Sequence, residues 1–299
     1  MTSVDQRPKL LVNHEQFRRL SETKAGESVV GMFYGAAKTG KTLILGSAGD
    51  RSLFINNGAG SETLRSPLFK RLFPESNPIV IDIQEELDSN GLPASKAQAF
   101  DAMSDAIDYA MQTMGDQFDT ICIDDSTSAR RFAMYKGLEI NQQLGKSKTL
   151  EQTVKRFDVM SVAVQDYGME MNLILQFIIG TIELCKKNNK HLFIGAHERH
   201  TYKKPDQIGD VPTLIKVRPG FTGQTMPDEI GGLFDVLVHT EAVGGGSNIV
   251  YRCRFNGDET IQAGVRYGGI FETVESNVTI PKMLERIKAA QLNPKVIIR

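Results

Sequence analysis

The sequence predicts an α/β fold with a mostly parallel sheet flanked by helices. Short apolar runs alternate with helical patterns from about residue 29 to residue 267, an order typical of parallel strands joined by crossover helices. A glycine-rich loop joins the first run to a helical segment. Two further runs, Leu233–Thr240 and Asn248–Phe255, flank Gly244-Gly245-Gly246-Ser247 and predict a C-terminal antiparallel hairpin.

Five strands are predicted before the hairpin, each from a short run rich in β-branched or other apolar residues. They are Val29–Tyr34, Leu53–Asn57, Ile79–Ile83, Thr120–Ile123 and His191–Ala196.

Helical spacing of apolar residues predicts two long helices between these strands. The first follows a capping box at Ser95 and Gln98 and carries the stripe Phe100, Met103, Ile107, Ala110 and Met114. The second covers about 166–188, with the stripe Met169, Leu173, Phe177, Gly180 and Leu184. We interpret both stripes as core rather than as cofactor sites. A closing helix is predicted at Pro281–Gln291, with proline in its first turn.

The bulk properties indicate one large domain of a cytoplasmic protein. Its 299 residues divide into an N-terminal arm (1–28), a core (29–280) and a C-terminal helix and tail (281–299). A net charge of -1 gives no overall attraction to nucleic acid or membrane. No apolar stretch approaches the roughly 20 residues that span a bilayer, and the N-terminus lacks a signal-peptide core. The three separated cysteines are expected to be reduced and mostly buried.

The most specific motif is Gly35-Ala36-Ala37-Lys38-Thr39-Gly40-Lys41-Thr42, a full match to the phosphate-binding loop G-x-x-x-x-G-K-[ST]. The glycines allow backbone angles and close approaches that a side chain would block. The loop can then aim N–H groups at phosphate oxygens, at the positive end of a helix dipole. Lys41 is expected to reach the β- and γ-phosphates of a nucleotide, and Thr42 to coordinate Mg²⁺.

A second motif supplies the acid that such a loop needs for the metal. The apolar strand that ends in Asp124-Asp125-Ser126 places Asp124 to hold Mg²⁺ through water. An apolar strand followed by aspartate can also be only a helix N-cap. For Asp125 two roles stay open: it orients the attacking water, or it caps the next helix together with Ser126.

The next predicted strand also ends in polar residues, His197 and Glu198. Carboxyl ends of strands in open α/β sheets meet at the ligand crevice. His197 is therefore a candidate sensor of the γ-phosphate; the alternative is a histidine that only anchors the loop.

Six segments in this order resemble the RecA-type ATPase core, in particular the phage RecA-like single-strand annealing and recombination proteins known as phage nucleotide-binding proteins. The resemblance covers about 29–268. The segments are GAAKTGKT at 35–42, ICIDDSTS at 121–128, QDYG at 165–168, GAHE at 195–198, MPDEIGGLFDVLVH at 226–239 and AGVRYG at 263–268.

This resemblance implies an oligomeric ATPase, ring or filament, that binds ATP and Mg²⁺ and acts on single-stranded DNA. It implies that Asp124 is the Walker B acid and His197 the sensor, and that Arg266 reaches the γ-phosphate of a neighbouring subunit. A single-strand binding protein is a further expected partner, and no membrane is.

One position departs from the family. RecA-like proteins carry a catalytic glutamate near the end of the strand after the phosphate-loop helix, where this chain has Asn56 and Asn57. An amide holds a water but cannot take its proton. Hydrolysis is therefore expected to be slow, or to use Asp125 or Glu198 as the base.

The segment 199–218 is the candidate DNA surface. It holds Arg199, Lys203, Lys204, Lys216 and Arg218, with His200, Tyr202 and Phe221 nearby. Basic groups neutralise phosphates and aromatic rings stack on bases. The alternative is a solvated loop, since Asp206, Asp210 and Asp228 dilute the charge. Two other functions stay open: a P-loop helicase or packaging motor, and an ATP-gated, non-catalytic DNA-binding or assembly module. A phosphotransferase is disfavoured because no acceptor-binding lid motif is present.

Overall fold

The computed structural model describes residues 28–87, 89, 96–143, 164–203, 212–245 and 248–292. The predicted arm, apart from Ser28, and the tail after Leu292 lie outside them. The strands are β1 (Val30–Gly35), β2 (Ser52–Asn56), β3 (Ile79–Asp82), β4 (Thr120–Asp124), β5 (His191–Lys203), β6 (Thr213–Pro219), β7 (Val236–Val243), β8 (Val250–Arg254), β9 (Gly264–Val265) and β10 (Val274–Ser276). The helices are α1 (Lys41–Gly46), α2 (Gly60–Arg65), α3 (Pro67–Leu72), α4 (Ala99–Met114), α5 (Ser126–Gln143), α6 (Val164–Lys187), α7 (Met226–Leu233) and α8 (Ile280–Leu292).

One mixed sheet organises these elements, in the strand order β10-β8-β7-β1-β5-β4-β2-β3. The strands from β7 to β3 are parallel, whereas at one edge β8 pairs antiparallel with β7 and β10 pairs antiparallel with β8. The α/β class, the mostly parallel sheet and the C-terminal hairpin, formed by β7 and β8, are therefore confirmed.

Helices cover both faces of the sheet because side chains in a strand alternate between its faces. One face of β1 carries Met32 and Tyr34, in the hydrophobic cluster that includes α4, α5, α6 and α7. The other face carries Phe33, whose cluster includes α1, α2, α3 and α8. The three cysteines are buried and free.

Of the five strands predicted before the hairpin, the first four agree with the structure within one residue. The first hairpin strand, predicted at Leu233–Thr240, lies three residues later, at Val236–Val243. The predicted end at Ala196 is wrong, because β5 continues to Lys203 and pairs antiparallel with β6. The segment 198–227, which is polar and interrupted by Gly and Pro, therefore contains a β5–β6 hairpin that its composition did not indicate.

The cap of α4 comes from a distant residue. Ser95 of the predicted capping box lies outside the described residues, and the Gln98 side chain makes no capping hydrogen bond. The Glu85 carboxylate instead accepts hydrogen bonds from the N–H groups of Gln98 and Ala99. The predicted stripe of α4 is confirmed, since Phe100, Met103, Ile107 and Ala110 are buried and Met114 packs partly buried against the core.

The predicted buried face of α6 is wrong by about one residue. Ile174, Ile178 and Ile182 are buried, whereas Phe177 and Leu184 are only partly buried. The same buried face includes Asp166 and Glu170, and hydrophobic spacing cannot detect acidic residues as core. By length and composition, Asp166–Lys187 could cross a membrane, contrary to the expectation that no segment would. Its isoleucine side, however, lies in the main core cluster.

Candidate phosphate-binding site

Polar side chains from three neighbouring strands meet at the carboxyl edge of the sheet. β1 lies between β5 and β7, and β4 lies on the other side of β5. Gly35 at the end of β1 is directly beside His197 of β5. A cavity of about 460 Å³ opens at this edge, with Lys41, Thr42, Asp124, Asp125 and His197 in its lining. It is the position at which open α/β sheets bind ligands.

The two fixed glycines of the loop between β1 and α1 are required by its geometry. Gly40 has φ 88°, in the left-handed region that favours glycine. A Cβ on Gly40 would lie 2.7 Å from the Tyr251 ring. A Cβ on Gly35 would lie 2.5 Å from Oγ1 of Thr240. The exposed part of the loop lies between these glycines and consists of Ala36, Ala37 and Lys38.

A threonine of β7 holds the loop from behind. The Thr39 hydroxyl lies 2.8 Å from the Thr240 hydroxyl and donates to the Ala36 carbonyl at 2.8 Å. Thr240 is fully buried and also donates to the Tyr34 carbonyl at 3.2 Å. The sequence gives no signal for Thr240, because it lies 201 residues from Thr39 and belongs to no motif.

The Lys41 ammonium is buried and faces the loop. Its Nζ donates to the Gly35 carbonyl at 3.0 Å and to the Ala36 carbonyl at 2.6 Å. Burial lowers the pKa of Lys41, and the charges of Asp124 and Asp125 oppose that shift. The Lys41 cation therefore lies inside the loop, where it could contact an anionic group bound in the cavity.

Thr42 and Asp124 form the polar floor of the cavity. The Thr42 hydroxyl donates to Oδ2 of Asp124 at 2.6 Å. Asp124 is 6% exposed, and Gly60 and Gly195 give its carboxylate room, since a Cβ on Gly195 would lie 2.9 Å from Oδ1. Burial raises the pKa of Asp124 to about 6, and the Thr42 hydrogen bond and Lys41 oppose that shift.

The chemistry of these donors fits magnesium. A hydroxyl and a carboxylate are the hard oxygen ligands that Mg²⁺ prefers, and Mg²⁺ takes its remaining ligands from water and phosphate. Within the described residues, no group of three or more His, Cys, Asp or Glu could hold a metal. The site therefore suits an ion that arrives with a phosphate ligand rather than one held by the protein alone.

Asp125 makes the capping contact that the sequence left as one of two alternatives, and its second oxygen faces His197. Its Oδ1 accepts from the N–H of Ser128 at 2.7 Å, which caps α5. Its Oδ2 lies 3.3 Å from Nε2 of His197. The backbone of His197 is anchored as well, because its amide N–H donates to the Thr127 hydroxyl at 3.2 Å. Both side chains nevertheless line the cavity.

Glu198 lies on the opposite face of β5 from His197. Its carboxylate is 2.8 Å from Nε2 of His200 and 2.9 Å from Nε2 of His239. These hydrogen bonds, that from His239 foremost, lower the pKa of Glu198. Because Glu198 does not line the cavity, it is poorly placed to act as the base.

Arg266 lies at the amino ends of the parallel strands, whereas the phosphate loop lies at their carboxyl ends. Its guanidinium is 3.0 Å from Oδ1 of Asp235, whose Oδ2 accepts from the N–H of Val30 at the start of β1. It also donates to the Gly232 carbonyl at 2.7 Å. The side chain is 53% exposed. Arg266 thus cannot serve the cavity of its own chain but keeps an exposed portion.

The end of β2 carries amides, as the sequence indicates, and both are engaged. Asn56 accepts from the N–H of Gly60 at 2.9 Å and donates to Asp82. The Asn57 amide donates to the Asp125 carbonyl at 3.4 Å. Asn57 is fully buried, and its Oδ1 has no hydrogen-bond partner among the described residues.

The β5–β6 hairpin separates the basic residues from the aromatic ones. Directly paired residues share a face, so Arg199 and Arg218 lie together, with Lys216 next to them, whereas His200 and Tyr202 point the other way. Arg199 donates to the carbonyls of Phe221 and Gly223. Arg218 is buried and pairs with Asp228 at 2.9 Å. Lys204, Asp206 and Asp210 lie outside the described residues.

A partly buried ion pair at the base of this hairpin has no signal in the sequence. Arg130 of α5 donates to Glu170 of α6 at 2.7 Å, and it also donates to the Gly220 carbonyl and the Thr222 hydroxyl. Thr222 in turn donates to Glu170 at 2.8 Å. The network ties the chain after β6 to the helix that starts beside Asp125.

A scan against protein-family models and a search of curated proteins found no match to this chain.

Proposed function

We propose that this chain binds a nucleoside triphosphate with Mg²⁺ through a P-loop. The observation that carries the proposal is the convergence of Lys41, Thr42 and Asp124 in one cavity. These are the cation, hydroxyl and carboxylate that phosphate and magnesium require. No other described cavity combines a buried lysine with a buried carboxylate.

More particularly, we propose a RecA-like ATPase that acts as an oligomer on single-stranded DNA in phage recombination or replication, in the host cytoplasm. The sheet with its added β7–β8 hairpin supports this interpretation. So does the continuity of β5, which passes His197 at the cavity and then enters the β5–β6 hairpin.

Different residues of the site would bind different parts of the nucleotide and its metal ion. Lys41 exchanges its two carbonyl partners for phosphate oxygens, and the loop glycines keep its backbone close to the ligand. Thr42 and Asp124 would hold Mg²⁺, whose charge would offset that of the phosphates. His197 lies where a hydrogen bond to the terminal phosphate would tie nucleotide state to β5.

Asp125 is the carboxylate that supports hydrolysis in this proposal. It lines the cavity and its Oδ2 is close to His197, so it can orient a water or take its proton. Its other oxygen is committed to the cap of α5, and the end of β2 offers only amides. We therefore propose slow turnover.

DNA contact is proposed at the β5–β6 hairpin. Its described exposed side chains include Tyr202 and Lys216, a stacking ring and a phosphate-binding cation. Arg199 and Arg218 support the hairpin rather than the DNA, since both are bound to the protein.

One observation favours a second candidate, an ATP-gated assembly module without turnover. Asn56 and Asn57 replace the acid at the end of β2, and both are held by hydrogen bonds. ATP turnover measured with and without single-stranded DNA, beside particle size in both nucleotide states, separates the candidates. DNA-stimulated turnover supports the ATPase, and ATP-dependent assembly with negligible turnover supports the module. Strand unwinding would instead indicate a helicase or packaging motor. A chain that binds no nucleotide would overturn all of them.

A further inference from the structure

A second cavity adjoins the phosphate-binding cavity. It has a volume of about 230 Å³, and three residues line both spaces: Gly40, Leu43 and Tyr251. The two cavities follow α1 from its first residues, Lys41 and Thr42, to its second turn at Ile44.

The two cavities differ in chemistry. The phosphate-binding cavity contains Lys41, Asp124 and Asp125 among its lining residues, whereas the second cavity has no acidic residue among the described residues of its lining and is lined mainly by apolar and aromatic side chains. These are Leu43, Ile44, Leu72, Phe73, Tyr251 and Val278. A nucleotide has the same asymmetry, with charged phosphates at one end and an aromatic base at the other. Together the two volumes fall in the roughly 300–1,000 Å³ typical of small-molecule sites.

The rim of the second cavity can recognise the edge of a base. Asn277, Thr279 and Lys282 line it at the start of α8. An amide both donates and accepts, a hydroxyl does the same, and an ammonium donates. Purines present such donors and acceptors along one edge, and their two fused rings offer more area for stacking than a pyrimidine.

We propose that the cavity between α1, α3, β8 and α8 receives the purine base of the nucleotide, with Tyr251 as its aromatic wall. This inference rests on the proposed nucleotide binding and adds the location of the base. Tyr251 is the connecting residue, because its ring lies against Gly40 of the phosphate loop while its strand, β8, forms one wall of the apolar space.

The test compares ATP with inorganic tripolyphosphate, which has the phosphates without the base, in calorimetric titrations with Mg²⁺. Wild-type protein should bind ATP more tightly than tripolyphosphate. Tyr251→Ala should weaken ATP binding roughly 5- to 100-fold, the range that stacking on one aromatic residue contributes. It should weaken tripolyphosphate binding much less than ATP binding, because Tyr251 contacts the phosphate loop only at Gly40, and Tyr251→Phe should restore ATP binding.

Tyr109→Ala is the matched control, since Tyr109 of α4 is 65% exposed and lines neither cavity. Thermal melts establish that each variant is folded. Equal affinity of the wild type for ATP and tripolyphosphate would place the base elsewhere. So would a Tyr251→Ala variant that loses both ligands equally or neither. If the wild type binds neither ligand, the phosphate-loop assignment itself fails, which is a distinguishable result.

Discussion

The hydroxyl of Thr42 and the carboxylate of Asp124 are joined by a 2.6 Å hydrogen bond between residues 82 positions apart. Thr42 lies in the first turn of α1, and Asp124 ends β4. Their hydrogen bond brings the phosphate loop and the acidic strand end, two separate sequence motifs, into one polar centre.

Lys41→Ala should abolish binding of ATP with Mg²⁺ in a folded protein. The loop geometry depends on Gly35 and Gly40 rather than on the ammonium, whose loss removes charge-assisted hydrogen bonds to phosphate. Titration calorimetry and circular dichroism measure the two properties. Lys186→Ala, at the exposed end of α6, is the control. Near-wild-type affinity of folded Lys41→Ala would contradict the phosphate-loop assignment.

Asp124→Asn should stabilise the nucleotide-free protein at pH 8 but not at pH 4. The folded-state pKa of Asp124, about 6, lies above its ordinary value of 3.8. The folded protein thus binds the proton more tightly, and this stabilisation is present below pH 4 and is lost as the pH rises through 6. The difference is about 2 to 3 kcal/mol of unfolding free energy, an upper bound because the amide must also be accommodated.

Urea unfolding at both pH values, without nucleotide, measures this effect. Mg²⁺ and ATP should raise the melting temperature of the wild type but not of Asp124→Asn. A stability difference between the two proteins that is independent of pH would contradict the raised pKa.

Thr240→Val should weaken ATP binding although Thr240 lies behind the loop. Valine keeps the shape but removes the hydroxyl that contacts Thr39 and the Tyr34 carbonyl. We expect a decrease of about 1 kcal/mol in stability and a several-fold lower ATP affinity. Thr113→Val, at an exposed α4 hydroxyl, is the control. Unchanged affinity would mean that the loop holds its shape without β7.

Arg266→Ala should keep ATP binding and lose most of whatever turnover exists, if Arg266 reaches the site of a neighbouring subunit. Arg266 is 53% exposed but Asp235 is only 11% exposed, and Asp235 keeps the hydrogen bond from Val30. The stability cost should therefore be about 1 to 3 kcal/mol. Mixing Arg266→Ala with Lys41→Ala protein should restore some active sites. Full turnover of Arg266→Ala alone would contradict a role at the neighbouring site and leave Arg266 with only its structural ion pair to Asp235.

Neutralising Lys203 and Lys204 together should weaken single-strand binding and flatten its salt dependence. The log–log slope should fall by about 0.7 for each DNA phosphate that the variant no longer neutralises. ATP affinity should stay unchanged because Lys203, the described residue of the two, does not line the phosphate-binding cavity. The control is the double neutralisation of Lys186 and Lys187, which are exposed at the end of α6. Wild-type affinity and slope for DNA would point instead to the N-terminal arm with Arg18 and Arg19.

The sequence by itself determined the features whose cause is local. The phosphate loop needs glycine at two positions of one short segment, and the strand that ends at Asp124 is an apolar run followed by acids. The stripe of α4 repeats at helical spacing. Each signal lies within a few residues, so the pattern and the structure agree.

Tertiary structure alone decided the features that depend on partners distant in sequence. Thr240 contacts Thr39 across 201 residues, and Arg130 neutralises Glu170, which lets an acid lie in the buried face of α6. Glu198 and His197 are adjacent in sequence but lie on opposite faces of β5, because successive side chains of a strand point to opposite faces. Only one of the two can therefore face the cavity. Which of the two it would be depended on how β5 pairs with β1 and β4, and no local pattern encodes that register.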